Sequence, residues 1–366
     1  MSALDAIPEA LPPRTRTAWM DSARVLAIAA VVLIHVLAPT VGGRGLEVGS
    51  PGWWVANLLN SASRWSVPVF LMISGALALD PAKVSRPRDF YRKRWQRIGV
   101  PLVFWTAFYL LFRRFVLDPG LTAQEAASDV ARGAPFLQLY FLYILAGLVL
   151  ITPFLKVFTR HATWRMQLGF GAVLLALGLA DQVMSYLGGV GEPNAATRFL
   201  PFAGYYVLGW CLRDLVVHGR AQAWCWAVLV LSVGVTAGLA AVAGFGQIGR
   251  YAYGFLSPSV AAMSISAYLL LHAHLRRPQG IAERWIGPGA PLAFGVFLVH
   301  GALVFWFRRV IGVPHDAVGV AAGAVVLTVG YSLVSAVITW VLLKIPYLRT
   351  VFGEPPWPVK RVRRAG

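Results

Sequence analysis

Charge is scarce in this sequence, and acid is scarcer still. Charged residues make up 13% of the 366, with 15 acidic against 33 basic side chains, whereas soluble domains carry about 25% charged residues. With 58% hydrophobic residues and a mean hydropathy of +0.64, the composition argues against a soluble enzyme. Cysteine is nearly missing. Cys211 and Cys225 flank a loop expected in the cytoplasm, where thiols stay reduced, so no structural disulfide is expected. There is no phosphate-binding P-loop, no dinucleotide glycine fingerprint and no credible metal-ligand spacing. His272 and His274, two residues apart, fall on different helix faces, so no metal is expected. No inverted repeat is detectable.

What is present is apolar sequence in stretches near the ~20 residues that cross a bilayer. Segments near 20–40, 54–79, 98–117, 136–155, 166–187, 199–212, 223–243, 251–272, 290–307 and 317–343 predict an all-α polytopic membrane bundle of about ten transmembrane helices. Loops then alternate sides. One side, which includes both termini, holds 23 of the 33 Lys and Arg, and the opposite loops hold eight. The positive-inside rule places the richer side, with both termini, in the cytoplasm of a multi-pass plasma (inner) membrane protein. The basic excess thus reads as orientation and attraction to anionic lipid. No soluble module with interleaved basic and aromatic residues is present, so no nucleic-acid partner is expected. Residues 1–18, with three prolines and no periodicity, read as a disordered cytoplasmic tail rather than a signal peptide. Residues 19–345 form the membrane domain and 346–366 a basic cytoplasmic tail.

The first segment, DSARVLAIAAVVLIHV from Asp21 to Val36, organises the chain. At 100° per residue, Arg24 and His35 return to nearly the same helix face, with Asp21 within roughly 40° of it. Along the axis the two are roughly 16 Å apart. Ionisable groups inside a membrane segment are costly and are functional by default. Asp21 is expected to orient Arg24 through an i, i+3 ion pair. The second segment is the least oily, carrying Asn57, Asn60, Ser61, Ser63, Arg64, Ser66 and Pro68. It suits only a position facing protein or a watery cavity; the bland reading is that its polar stripe glues helices together. Ser74, Gly75 and Ala76 permit close helix approach.

Loop 80–97 is the most basic stretch. Arg94 and Arg97, at i, i+3, share a face where the third segment begins, and two guanidiniums so placed can clamp phosphates. The competing reading is a juxtamembrane topology signal touching headgroups. His300 lies near the middle of APLAFGVFLVHGALVFWF; alone, it reads equally well as a hydrogen bond to a neighbouring helix. LQLYFLYILAGLVL reads as an aromatic packing stripe. Asp181 and Glu192, toward the external end of the fifth segment, read more readily as solvated acids than as substrate ligands.

The chain resembles the integral-membrane acyltransferase-3 family, in particular its bacterial surface-polysaccharide O-acetyltransferases. The resemblance is carried by Asp21-x-x-Arg24 with His35 eleven residues beyond. It continues through SVPVFLMISG (66–75), YRKRWQRIGVPLVFW with Arg94 and Arg97, FLPFAGYYVLGWCL (199–212), AFGVFLVHGAL (293–303) and KIPYLRTVFG (344–353). No one stretch is specific; their order across nearly the whole chain is. The extracellular hydrolase-like domain common in the family has no counterpart in this sequence, and no motif supports Glu283 or Glu354 as a catalytic acid.

The resemblance implies transfer of an acetyl group from cytoplasmic acetyl-CoA, as co-substrate, to a hydroxyl of an envelope glycan or its lipid-linked precursor. A sugar hydroxyl needs a base to take its proton, and His35 is the natural candidate. Arg64 is read as its electrostatic neighbour, either keeping the imidazole uncharged or stabilising the thioester oxyanion. Arg94 and Arg97 would hold the CoA phosphates, and His300 would orient the acceptor or share the proton transfer. Membrane lipid and envelope-synthesis proteins are the further partners expected. The alternatives are a polysaccharide or small-anion transporter, and a non-catalytic member of an envelope-synthesis complex.

Overall fold

The computed structural model describes residues 15–43, 45–82, 86–188, 194–242, 247–276, 286–308, 311 and 316–356. Glu192, Glu283 and the tail residues 1–14 and 357–366 lie outside these. Among the described residues every regular element is helical. Seven helices are long and apolar enough to cross a membrane, so the chain is a polytopic helical bundle.

The first, α1 (Thr15–Val41), runs unbroken along the whole Asp21–His35 stripe. It is central, packing against α2 (Pro51–Ala62), α3 (Ser66–Ala78), α12 (Pro258–Leu275), α13 (Ala290–Phe307) and α14 (Ala317–Leu342). The second predicted segment is not one helix but two, α2 and α3, broken at Ser63–Trp65. Pro68 causes the break. It has no N–H to give the carbonyl of Arg64, four residues back, and its ring crowds that carbonyl. The chain passes the break on tighter bonds, from Arg64 N–H to Ser61 O (3.2 Å) and Ser66 N–H to Ser63 O (3.2 Å).

The third segment starts earlier than its apolar run. The basic helix α4 (Pro87–Arg94) continues through a π-turn, Trp95–Gly99, into α5 (Val100–Phe112). Short α6 (Ala123–Ala131) follows, then α7 (Tyr140–His161), α8 (Trp164–Gly188), the short α9 (Ala203–Leu212), α10 (Gly219–Val242) and α11 (Gln247–Ala252). α9 packs between α3 and α8. It lies close enough to α3 that each helix needs a glycine: a Cβ on Gly75 would sit 1.8 Å from Tyr206 O, and one on Gly209 would sit 2.0 Å from Met72 O. The small residues read from the sequence at 74–76 therefore allow a backbone-to-backbone crossing.

Candidate active site: a histidine pair on a cavity wall

The stripe on α1 ends in two different neighbourhoods. At the N-terminal end, Arg24 Nη1 donates to Asp21 Oδ1 at 2.9 Å, the i, i+3 pair expected, with both side chains partly exposed. Arg97 lies within electrostatic reach of Arg24, and Arg94 within reach of Arg97 and the Tyr206 hydroxyl. Arg94 also lies over the Phe90 ring, 5.3 Å from its centroid. Among the described residues neither Arg94 nor Arg97 has a carboxylate partner. The sequence placed these two on one face of an α-helix. Instead Arg94 ends α4 and Arg97 lies within the π-turn, whose wider winding alters that register, and the cluster runs Arg24–Arg97–Arg94.

The π-turn has a cause. Pro101 cannot bond the Arg97 carbonyl four residues back, and the turn closes instead on a Val100 N–H to Trp95 O bond. The KIPYLRTVFG stretch braces it. Trp105 Nε1 donates to Val351 O at 2.9 Å, and Gly353, at φ +74°, lies so close that a Cβ there would be 2.5 Å from Arg97 O.

Eleven residues along, the His35 ring stands beside the His300 ring of α13, centroids 5.2 Å apart and planes at 33°. The sequence could not pair them; α1–α13 packing does. Pro39, inside α1, leaves the His35 carbonyl without its intrahelical donor, and Arg308 Nη2 takes the position at 2.8 Å. Asn60 Nδ2 donates to the neighbouring Ile34 carbonyl at 3.2 Å, so two side chains grip the turn that carries His35. His300 is fully buried. Its Nδ1 lies 2.9 Å from Val296 O; a carbonyl only accepts, so Nδ1 carries the proton and Nε2 is left as a bare acceptor. That Nε2 is buried and has no hydrogen-bond partner.

Arg64, in the α2–α3 break, lies within electrostatic reach of His35, as does Arg308. Its Nε donates to Asn60 Oδ1 at 2.9 Å, Nη2 contacts the same oxygen, and Nη1 donates to Tyr253 O at 3.1 Å. The guanidinium also covers the Tyr253 ring at 4.4 Å. Both readings of the second segment therefore hold in different places. Asn57 and Asn60 are glue, bonded to Ala237 O and Ile34 O, and Arg64 faces a cavity.

That cavity, of about 630 Å³, is walled by His35, Arg64, Gln138 and Tyr140 among apolar side chains of α1, α3, α7 and α13. His35 is on its wall and His300 stands behind. The structure thus brings together His35, His300 and Arg64 at one level, and Asp21, Arg24, Arg97 and Arg94 at another, roughly 16 Å away along α1. Gln138 was missed: it sits in the run read as an aromatic stripe, and being the one amide there was its only signal. Arg308 was missed as a loop cation. His272 is committed elsewhere, stacked on Trp19 at 4.6 Å with Nδ1 3.0 Å from Leu215 O. Asp181 is exposed. No three His, Cys, Asp or Glu side chains converge among the described residues.

A base beside a second imidazole, a guanidinium and a largely apolar, partly open cavity suits proton removal from a hydroxyl and stabilisation of an oxyanion. No curated protein and no solved structure matches the chain. The acyltransferase-3 family model, described as an acyltransferase domain, matches residues 17–344, spanning both clusters. The chain belongs to the acyltransferase-3 family and is a membrane acyltransferase.

Proposed function

We propose that the protein moves an acetyl group from cytoplasmic acetyl-CoA to a hydroxyl of an envelope glycan or its lipid-linked precursor, in the inner membrane. The observation that carries this reading is His35 on the cavity wall with His300 behind it, joined by one continuous helix to an arginine cluster in which, among the described residues, Arg94 and Arg97 have no carboxylate partner. Arg94 and Arg97 hold the CoA phosphates through charge-assisted hydrogen bonds. Arg24, steadied by Asp21, lies between them and the interior, and the pantetheine arm covers the roughly 16 Å to His35. Neutral His35 takes the hydroxyl proton as the acceptor oxygen attacks the thioester carbonyl. Arg64, whose own contacts fix it, supplies positive charge near the developing oxyanion. His300, behind His35, offers Nε2 to the proton that His35 acquires.

The test is to feed [14C]acetyl-CoA to the cytoplasmic face of sealed membrane vesicles and count label in the glycan fraction. Vesicles with the wild-type chain should label it; vesicles lacking the chain, or carrying His35→Gln, should not. Counterflow of a solute without CoA, and no label, would favour transport. The orientation rests on the 23-to-8 charge split: reporters fused after Arg94 should read cytoplasmic and after Asn194 external. An external reading at Arg94 would overturn the donor side.

A further inference from the structure

Of the side chains that bury a polar atom without a partner among the described residues, Gln138 is the one on the cavity wall. It precedes α7, is 2% exposed, and shares the cavity wall with His35 and Arg64. Neither atom of its amide has a hydrogen-bond partner. The Tyr109 hydroxyl is close enough for a weak side-chain hydrogen bond from the amide, but that hydroxyl already donates to Leu298 O at 2.6 Å and accepts from Ala302 N–H at 3.2 Å. Its one remaining lone pair would satisfy at most a single amide N–H. The amide is also placed with care, lying flat on Gly301, the residue after His300. A Cβ on Gly301 would come within 2.2 Å of Nε2 and 2.5 Å of Oε1.

An unpaired buried amide costs about 1–3 kcal/mol, and methionine would fill the same space without that cost. A buried polar group retained unpaired calls for a reason, and its position on the cavity wall points to a ligand. The site already has proton acceptors, in His35 and in the bare Nε2 of His300. Arg64 has three of its N–H groups in use. What the chemistry still needs is an uncommitted neutral donor at the carbonyl oxygen.

We propose that Gln138 is a catalytic residue whose side-chain N–H binds the thioester carbonyl oxygen of the acyl donor and stabilises its oxyanion. The acceptor oxygen bonds to the carbonyl carbon while its proton passes to His35. The carbonyl electron pair moves to the oxygen held by Gln138. On collapse the C=O bond re-forms, the C–S bond breaks, and the CoA sulfur leaves with the pair and takes a proton from the imidazolium. This role rests on the acyl-transfer reading above.

The experiment compares Gln138→Met and Gln138→Leu with wild type and His35→Gln in the same [14C]acetyl-CoA vesicle assay, alongside thermal midpoints in detergent. Both Gln138 variants should lose kcat by about 10²–10³-fold, the usual loss of one oxyanion donor, with the KM for acetyl-CoA unchanged. Gln138→Met should keep or raise the midpoint, since it removes an unpaired amide. Wild-type kcat in Gln138→Leu, which has no donor, would overturn the donor role. So would wild-type kcat in Gln138→Met, or a midpoint that falls in step with its activity. If vesicles with and without the wild-type chain label the glycan equally, or not at all, the acyl-transfer reading itself fails. Label that depends on His35 but not on Gln138 removes only this proposal.

Discussion

Two polar clusters meet at His35, and they are built on opposite rules. In the α2 cluster, Asn57, Asn60 and Ser61 are fully buried, and each makes a hydrogen bond: Asn57 to Ala237 O, Asn60 to Ile34 O and Arg64, Ser61 to Asn57. Across the cavity, the Nε2 of His300 and both amide atoms of Gln138 are equally buried and unbonded. In a membrane bundle, where water does not satisfy such groups, the second arrangement is the costlier. The first cluster holds helices together and fixes Arg64. The second holds bonding capacity open at the place where His35 faces a cavity. At this cavity the paired groups mark construction and the unpaired amide and imidazole mark chemistry; elsewhere Trp19, Ser66, Thr328, Ser332 and Ser335 also bury a polar side-chain atom without a partner.

The sharpest way to break that contrast is pH. Only neutral imidazole accepts a proton, so the transfer rate should be full above the His35 titration. It should fall about tenfold for each further unit of acidification below it. A rate that rises on acidification would remove His35 as the base. Next in size is the donor end. Arg94→Ala or Arg97→Ala should each weaken CoA binding about ten- to a hundredfold, matching the ~1.5–3 kcal/mol of a charged hydrogen bond, and leave acceptor affinity unchanged. Equal CoA affinity in both variants, at matched salt, would reduce them to topology residues.

Asn60→Ala attacks the paired cluster. It should lower stability by about 1–3 kcal/mol, because Arg64 and the Ile34 carbonyl both lose a partner, and a fall in thermal midpoint reads this directly. Smaller again is Pro39→Ala, which restores a helix N–H to the His35 carbonyl in competition with Arg308. Turnover should fall modestly while the midpoint rises, since a proline inside a helix can cost ~3 kcal/mol. The smallest effect lies outside the bundle. The Thr122 N–H and hydroxyl hold the Glu125 carboxyl below the usual range. That contribution to α6 is present above the ordinary glutamate range and is lost as pH falls through the depressed value. Hydrogen exchange of α6 amides should speed up on acidification, and Glu125→Gln should abolish the pH dependence, whereas Thr122→Ala, which keeps the backbone N–H, should only reduce it.

Much of this was legible in the sequence because one helix carries it. The Asp21–Arg24–His35 stripe needs only a constant 100° turn, and α1 supplies that over its full length. The polarity of the second segment likewise announced Arg64. The tertiary meeting of α1 with α13 was not legible, since no local pattern says which helix His300 will face. The prolines were a local signal that went unread. Pro39, Pro68 and Pro101 stand four residues after His35, Arg64 and Arg97. Each therefore frees the carbonyl of a candidate site residue and bends or rewinds the helix there. The break after α2 and the π-turn before α5 both follow from that spacing. Gln138 was hidden for a different reason: an amide among aromatics carries no charge to draw notice, and its meaning lies in the bonds it does not make.

The most direct test of the central claim is the initial rate of acetyl transfer in His35→Gln beside His300→Gln, at equal amounts of detergent-soluble protein. The account predicts that His35→Gln loses about 10²–10⁴-fold, the usual contribution of a positioned base, while its CoA affinity and soluble yield stay near wild type. Turnover within a few-fold of wild type in His35→Gln, with loss confined to His300→Gln, would contradict it and move the base to α13.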